Sequence, residues 1–325
     1  MTTRPYDGGV ALVQIVRSGF VEGVHCGSVA VLDARGALVA SAGDPYGQIF
    51  PRSSNKPMQA LAMLRSGLVL DDDGDLSLIA SSHSGEPFHV DRVRAILSGA
   101  GLGEQALGCP PDLPSAPAAH DDVVRAGAGP ARVYMNCSGK HAGMLLTCVT
   151  LGWSTVDYLH PDHPLQRSCR TVLEERTGEA VHTVGIDGCG APLFSASLTG
   201  LARALLSLVH APSGTHERRV ADAMRAYPEL MSGNGCEDAR LMRAVPGLLS
   251  KHGAEGVGLV ALPGVGAVAV KIDDGAARAR LPVLAAALAG LGVAGAQLDA
   301  VALTPVYGGG QRVGELRPID AIRAC

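Results

Sequence analysis

Short apolar runs separated by turn residues open the chain. Alternating and β-branched apolar residues predict strands over residues 10–16, 25–32 and 37–42, and the segment 33–36 supplies the Asp and Gly that a tight turn between the last two requires. Strands reappear near the other end of the chain, over 257–262 and 266–272, joined by a Pro-Gly turn. The pattern therefore predicts strands at both ends of the sequence.

Between these groups of strands, apolar residues recur at helical spacing. Gly and Pro mark the ends of several of these segments, and the stretch 109–120 is predicted to be a loop because it is rich in Pro and Ala. The predicted helices cover residues 54–65, 90–98, 138–151, 165–176, 193–209, 217–226 and 237–244, and a last one covers 281–291.

This order of elements predicts the α+β class. The N-terminal and C-terminal strands would share one antiparallel sheet, and a large helical insert would pack beside it. The expectation is a single domain, residues 1–325, with two lobes: strands at about 9–43 and 257–320, and helices at about 54–252.

Composition narrows the classes of function. A net charge of −4 and a pI near 6.2 argue against nucleic acid and against an anionic membrane as main partners. The start of the chain shows no signal peptide, so we expect a cytoplasmic location and reduced thiols at the eight cysteines.

Only four of the 27 basic residues are lysines: Lys56, Lys140, Lys251 and Lys271. Arginine cannot take over a task in which an amine must lose its proton, because it stays charged at any relevant pH. Chance could also have kept any one of them. Lys251 follows a short apolar run and precedes a glycine, so we expect it to be solvated and Lys251→Arg to be silent.

Ser53 and Lys56 lie three residues apart at the start of a predicted helix, just before Pro57. Residues at this spacing share a helix face, so a neutral Lys56 could take the proton of the Ser53 hydroxyl. The alternative is that Ser53 only caps the helix and Lys56 is a solvated first-turn residue. A second polar segment, residues 81–86, directly follows an apolar run and could line a cleft or form an ordinary turn.

Two segments carry thiols beside nitrogen donors. Cys137, Lys140 and His141 can point the same way from the start of one helix, and Cys189 lies in a Gly-rich turn. Two thiolates and one nitrogen suit zinc with a water in its fourth position, and the spacing alone favours His141 as the nitrogen. The alternative is that both cysteines are core residues or free thiols.

Taken together, five segments resemble the L-asparaginase II family of the Rhizobium etli type. They are Arg-Ser-Ser-Asn-Lys-Pro (52–57), Ser-His-Ser-Gly-Glu (82–86), Asn-Cys-Ser-Gly-Lys-His-Ala-Gly-Met (136–144), Asp-Gly-Cys-Gly-Ala-Pro (187–192) and Val-Lys-Ile-Asp-Asp-Gly (270–275). Segments 305–310 and 313–318 resemble it as well, so the likeness runs from about residue 10 to 320. Ser54 beside Ser53, and Ser84, depart from the family's usual pattern.

The resemblance implies a serine β-lactamase-like fold, a homodimer, and hydrolysis of L-asparagine to aspartate and ammonia. It implies two Ser-Lys pairs, Ser53 with Lys56 and Ser82 with Lys271, and a zinc ion held by Cys137, Lys140 and Cys189. Lysine then replaces His141 as the zinc nitrogen. Candidate substrate contacts are Arg52 for a carboxylate, Asp187 for an ammonium group or the zinc water, and His83 and Asn136.

Two other classes of function stay open at this point. One is a related amidase acting on glutamine, a peptide or a β-lactam, or a thiol hydrolase that uses Cys137. The other is a zinc-binding or zinc-sensing protein without catalysis.

Overall fold

The computed structural model describes residues 4–320 and 323–324. Its strands are β1 (Val10–Arg17), β2 (Phe20–Asp33), β3 (Leu38–Ala42), β4 (Gln48–Ile49), β5 (Val184–Ile186), β6 (Pro192–Phe194), β7 (Ala196–Ser197), β8 (Leu249–His252), β9 (Val257–Leu262), β10 (Gly266–Ile272), β11 (Pro305–Gly308), β12 (Gln311–Pro318) and β13 (Arg323–Ala324).

Its helices are α1 (Lys56–Ser66), α2 (Asp73–Ile79), α3 (Pro87–Gly99), α4 (Pro117–Arg125), α5 (Ser138–Leu151), α6 (Pro164–Thr177), α7 (Leu198–His210), α8 (His216–Ala226), α9 (Pro228–Ser232), α10 (Glu237–Ala244), α11 (Arg280–Gly290) and α12 (Ala296–Ala302). In the part of the chain that the structure describes, no helix is long and apolar enough to cross a bilayer.

One antiparallel sheet joins the two ends of the sequence. Its strand order is β11-β12-β1-β2-β10-β9-β8, and β3 pairs with β2 while β13 pairs with β3. Helix α7 packs on β2, β9 and β10, and α11 packs on β10 and β12. The predicted α+β class, with a sheet of N- and C-terminal strands and a helical insert, is confirmed.

The helices between β3 and β8 bury a large apolar cluster that also takes in side chains from β2, β9 and β10. A second cluster lies under α11 and α12. Since aromatic residues make up only 3 % of the sequence, leucine, alanine, valine and methionine fill most of both clusters. The sheet edge that ends in β8 therefore lies against the helical part of the molecule, where α10 also packs on β8.

Several elements differ from the sequence expectation. Helix α2 was not predicted: it begins within an acidic run at 71–75, and Asp72 caps it by accepting from the backbone N–H of Gly74. The predicted loop at 109–120 gives way to α4 at its end, because Pro117 is well suited to the first turn of a helix. Strand β8 was not predicted, and the C-terminal group of strands therefore begins eight residues before the expected strand at 257.

Candidate functional site

Ser53 lies on a short 3-10 turn, Arg52–Asn55, that leads directly into α1. The Ser53 side chain is partly exposed, and within residues 4–320 its hydroxyl has no hydrogen-bond partner. The neighbouring Ser54 is fully buried and donates its hydroxyl to the carbonyl of Pro51 at 2.7 Å. The structure therefore leaves Ser53, and not Ser54, available to a bound molecule.

One residue of this turn and one residue of the neighbouring β8–β9 turn have an unusual backbone. Arg52 has φ +52° and Glu255, in the turn between β8 and β9, has φ +58°. Residues other than glycine rarely adopt this left-handed region of backbone conformation. A Cβ placed on Gly253 would lie 2.6 Å from the carbonyl oxygen of Pro51, so only glycine permits this approach. The β8–β9 turn is thus pressed against the turn that carries Ser53, and strained backbone of this kind often accompanies functional sites.

Lys56 is the first residue of α1 and is 1 % exposed. Its amine donates to the Ser82 hydroxyl at 3.0 Å and to the carbonyl of Ser81. The segment that carries Ser82 leaves the end of α2, and the backbone N–H of His83 ties it to the carbonyl of Asn136 at 3.1 Å. The polar segments predicted around Ser53, Ser82 and Asn136 therefore lie side by side.

The second lysine that meets Ser82 is Lys251, and the predicted pairing of Ser82 with Lys271 is wrong. The Lys251 amine lies 3.4 Å from the Ser82 hydroxyl oxygen and also donates to the carbonyl of His252 at 2.7 Å. Lys271 is half-buried and donates instead to the carbonyls of Glu255 and Ile272, at 2.7 and 2.6 Å. Strand register explains the difference: Lys271 on β10 pairs with Val257 on β9, one strand away from β8.

Lys251 is also not the solvated side chain that the sequence led us to expect, because it is 0 % exposed. Burial, helped by the nearby charges of Lys56 and Arg280, outweighs the attraction of Asp238 and lowers the pKa of Lys251 to about 8. The sequence offered no usable signal for this burial, because β8 has only four residues and its first three are all buried.

The two predicted thiols and Lys140 also converge. Cys137 precedes α5, Lys140 lies in its first turn, and Cys189 lies in the turn between β5 and β6; all three are at most 2 % exposed. The Lys140 amine donates to the Cys189 sulfur at 3.0 Å. The Cys189 thiol in turn lies 3.6 Å from a carboxylate oxygen of Asp187.

The pKa values of Cys137, Lys140 and Cys189 are all shifted from their usual values. A hydrogen bond from Cys189 lowers the pKa of the Cys137 thiol well below its usual value, and the amines of Lys56 and Lys140 add to the effect against the cost of burial. Burial opposes a charge on Lys140, but the two sulfurs outweigh it and raise the pKa of its amine. The same hydrogen bond and burial raise the pKa of Cys189.

The side chains of this group suit a zinc ion only if the Lys140 amine is one of the ligands. Among the described residues, no three His, Cys, Asp or Glu side chains converge as metal ligands do. Two thiols and the Lys140 amine do converge, and they would bind zinc as two sulfurs and one nitrogen. His141, the nitrogen favoured by spacing alone, is fully buried with its Nδ1 2.6 Å from the Tyr158 hydroxyl, while its Nε2 has no hydrogen-bond partner among the residues that the structure describes.

Among the remaining predicted substrate contacts, Arg52 and Asn136 are accessible to a bound molecule and His83 is not. Arg52 donates to Asp187 at 2.8 Å and to Glu255 at 3.3 Å, and Asn136 is exposed with its amide oxygen 3.1 Å from the Cys137 sulfur. His83 is different and corrects the prediction of a substrate contact. It is 0 % exposed and both ring nitrogens are bonded inside the protein, to the Ser138 hydroxyl at 2.8 Å and to the backbone N–H of Gly85 at 3.2 Å.

A pocket of about 480 Å³ opens beside these residues. Arg52, Glu255 and Lys271 contribute its charged side chains, and Phe50 and Ile186 are among its apolar ones. The pocket thus places two cations and one carboxylate next to the turn that carries Ser53. Lys271 therefore contributes to the wall of this pocket.

Comparison with known proteins gives one family match. The model of the L-asparaginase II family matches residues 13–318, which covers nearly the whole chain and confirms the resemblance found in the sequence. No curated protein matches the chain at a significant level.

Solved structures give more distant likenesses. A β-lactamase from Mycobacterium bovis is 17 % identical, covering 82 % of this chain and 95 % of its own, with a TM-score of 0.47. A structure described as Mglu in its native form is 17 % identical over 81 % of this chain and 62 % of its own, with a TM-score of 0.43. A β-lactamase from Burkholderia vietnamiensis is 17 % identical over 84 % and 91 %, with a TM-score of 0.37.

Proposed function

The chain belongs to the L-asparaginase II family, and from this premise we propose that it is an amidohydrolase that converts L-asparagine to L-aspartate and ammonia. One observation supports the proposal most directly: two buried lysine amines meet at the hydroxyl of Ser82, next to the turn that carries the accessible Ser53. Buried amines in contact with hydroxyls are the groups that serine-based amide hydrolysis needs for moving protons.

In the proposed first half-reaction, Ser53 is the nucleophile. Neutral Lys56 takes the Ser53 proton, and the Ser53 oxygen bonds to the side-chain amide carbon of the substrate. The carbon–nitrogen bond then breaks, the nitrogen accepts a proton and leaves as ammonia, and an ester to Ser53 remains. Positions at the start of a helix favour the developing alkoxide through the helix dipole.

Ser82 and Lys251 serve as the proton path in this proposal. The Ser82 hydroxyl is in contact with both amines, at 3.0 Å from Lys56 and 3.4 Å from Lys251, so a proton can pass between them through one oxygen. In the second half-reaction water attacks the ester, Ser53 regains its proton and aspartate leaves.

The pocket beside Ser53 would bind the α-amino acid head of the substrate. Arg52 is the candidate for the substrate carboxylate and Asp187 for its ammonium group, with the exposed Asn136 amide nearby. Arg52 and Asp187 pair with each other at 2.8 Å, so the substrate must exchange this ion pair for its own two charges. That exchange would favour a zwitterion over a molecule with one charge.

We propose that Cys137, Lys140 and Cys189 hold a zinc ion. When bound, the ion would position the substrate, because two thiolates neutralise most of its charge. Lys140 and Cys189 must then lose their protons, and Asp187 lies 3.6 Å from Cys189, within reach of a water molecule at such a site.

We also propose a homodimer, which rests on the family resemblance and which light scattering of the purified protein tests.

The experiment that tests the function is ammonia release by the purified protein from L-asparagine, compared with L-glutamine and a β-lactam. We expect release from asparagine, and its abolition in Ser53→Ala while Ser54→Ala keeps it. Release from glutamine alone would leave the amidase chemistry and change the substrate. Labelling of Cys137 in place of Ser53 by a substrate analogue would identify a thiol hydrolase, and zinc binding without any hydrolysis would identify a zinc-binding protein.

A further inference from the structure

Asp238 is a buried carboxylate that none of the proposed chemical steps uses. It is the second residue of α10, is 1 % exposed, and faces strand β8. Its Oδ1 accepts the hydroxyl of Ser250 at 2.7 Å, and its Oδ2 accepts the backbone N–H of His252 at 3.2 Å and lies 2.6 Å from the ring Nδ1 of the same residue. Between these two residues on β8 lies Lys251, whose amine is 3.7 Å from Oδ2.

The position of the Lys251 amine depends on few partners. It touches the Ser82 hydroxyl, the carbonyl of His252 and the Asp238 carboxylate, and these are the groups that can compensate a charge on it. An ammonium group that is fully removed from water is stable only where a carboxylate or several hydrogen bonds replace the water. Asp238 supplies the negative charge in this arrangement.

We propose that Asp238 is a positioning residue of the reaction: its buried carboxylate holds the ammonium group of Lys251 against the Ser82 hydroxyl, ready to deliver a proton toward the leaving nitrogen. The catalytic part of this inference rests on the proposed function, whereas the link between Asp238 and Lys251 does not.

Charged and titratable groups from four other elements face Lys251. They are Asp238 from α10, Lys56 from α1, Arg280 from α11 and Cys137 from the start of α5, with His252 beside it on β8. Burial is the largest cause of the lowered pKa of Lys251, and Lys56 and Arg280 lower it further. Arg280 has a partner of its own, since it donates to Glu237 at 2.7 Å. Asp238 is therefore the nearest group that keeps a proton on Lys251.

The carboxylate itself is well suited to stay charged. Burial alone would raise the pKa of Asp238, but His252 and Lys251, together with the hydrogen bonds from His252 and Ser250, hold it well below its usual value. Asp238 is consequently ionised across the whole range in which Lys251 titrates.

Because the chain has only four lysines, their titration can be followed one by one. Protein labelled with [ε-13C]lysine should give four resolved side-chain signals, with that of Lys251 assigned by its loss in Lys251→Met. We expect Asp238→Asn to lower the pKa of Lys251 by about one unit or more, because the attraction that favours the proton is removed. Ser250→Ala is the matched control: it removes a hydrogen bond from the same carboxylate but keeps the charge, and should shift this pKa much less.

Activity gives a second measurement. In the wild type, kcat/KM for asparagine should fall as the pH rises through about 8, where Lys251 loses its proton. In Asp238→Asn this alkaline limb should move to lower pH by the same shift, and Asp238→Glu, which restores the charge, should move it back. An equal loss of activity at every pH, with the limb unmoved, would show that Asp238 is only structural and would overturn the proposal.

Stability decides the case in which Asp238→Asn does not fold. A buried lysine without its carboxylate is costly, so removal of the lysine as well should repair the damage. We expect the double variant Asp238→Asn with Lys251→Met to fold and to melt at a higher temperature than Asp238→Asn alone. A double variant that fails to fold, or a Lys251 pKa unchanged in folded Asp238→Asn, contradicts the proposal. A wild type that releases no ammonia from any amide would instead refute the proposed function, while the titration would still decide the link between the two residues.

Discussion

Lys140 and Lys251 are both buried, and the pKa values of their amines shift in opposite directions. Lys251 is 0 % exposed and its pKa is lowered to about 8, because burial and the neighbouring Lys56 and Arg280 outweigh Asp238. Lys140 is 1 % exposed and its pKa is raised, because Cys189 and Cys137 outweigh the same cost of burial. The sign of the shift is therefore set by the neighbours of each amine.

The difference suits the two amines to different tasks. An amine that titrates near pH 8 can give up and regain a proton during a reaction at neutral pH. An amine held charged beside Cys137 favours the ionised form of that thiol, and it becomes a metal ligand only when a metal ion displaces its proton. The two tasks would be assigned to two regions that lie close together, joined by Lys56, which touches Ser82 and also lowers the pKa of the Cys137 thiol.

Lys56→Arg should have the largest effect, because Lys56 lies between the two regions. Arginine cannot lose its proton, so the step that activates Ser53 should fail and kcat/KM for asparagine should drop by about 10⁴-fold. Steady-state ammonia release measures the drop, and circular dichroism checks that the variant is folded. Activity within tenfold of the wild type would remove Lys56 from the role of base.

Cys137→Ser should affect the thiol region alone. Loss of one thiolate ligand should weaken zinc binding by about 10³-fold, roughly a quarter of the total that four ligands supply in structural zinc sites. Competition with a chelating dye measures the affinity, and the titration of Lys251 should stay where it is in the wild type. Unchanged zinc affinity would show that the metal, if bound, lies elsewhere.

Lys251→Arg should affect the lysine region alone. Arginine keeps the charge beside Asp238 but cannot pass on a proton, so turnover should fall by about 100-fold with zinc binding unchanged. The alkaline limb of the pH profile near 8 should also disappear, because the replacement does not titrate there. A silent substitution, as the sequence alone led us to expect, would mean that Lys251 is buried for packing only.

Lys271→Arg should have the smallest effect. Its amine contacts two backbone carbonyls at the pocket wall, so a guanidinium group can replace it with less than about a threefold change in kcat and with any loss confined to KM. Measurement of kcat and KM for Lys271→Arg and Lys251→Arg in parallel compares the two lysines directly. A loss in kcat that is larger for Lys271→Arg than for Lys251→Arg would reverse our assignment.

Much of the local structure could be predicted from the sequence. The predicted strand over 257–262 and the predicted helices over 138–151 and 237–244 match the observed elements residue for residue, because each combines a clear apolar period with an unambiguous end signal. The convergence of Cys137 with Lys140 also followed from spacing, since residues three apart share a helix face. Strand β8 was missed because four residues carry too little pattern to distinguish a strand from a turn.

The identities of the candidate groups were thus determined by the sequence alone: a small number of lysines, two thiols and a serine at the start of a helix. Which lysine joins Lys56 at the Ser82 hydroxyl was decided only by the tertiary structure. Ser82 and Lys251 are 169 positions apart, and their contact depends on β8 being added to the edge of the sheet next to β9. The apolar period of a segment predicts only which residues a few positions apart share a face. The choice between Lys251 and Lys271 depends instead on the order of strands in the sheet, which long-range packing sets.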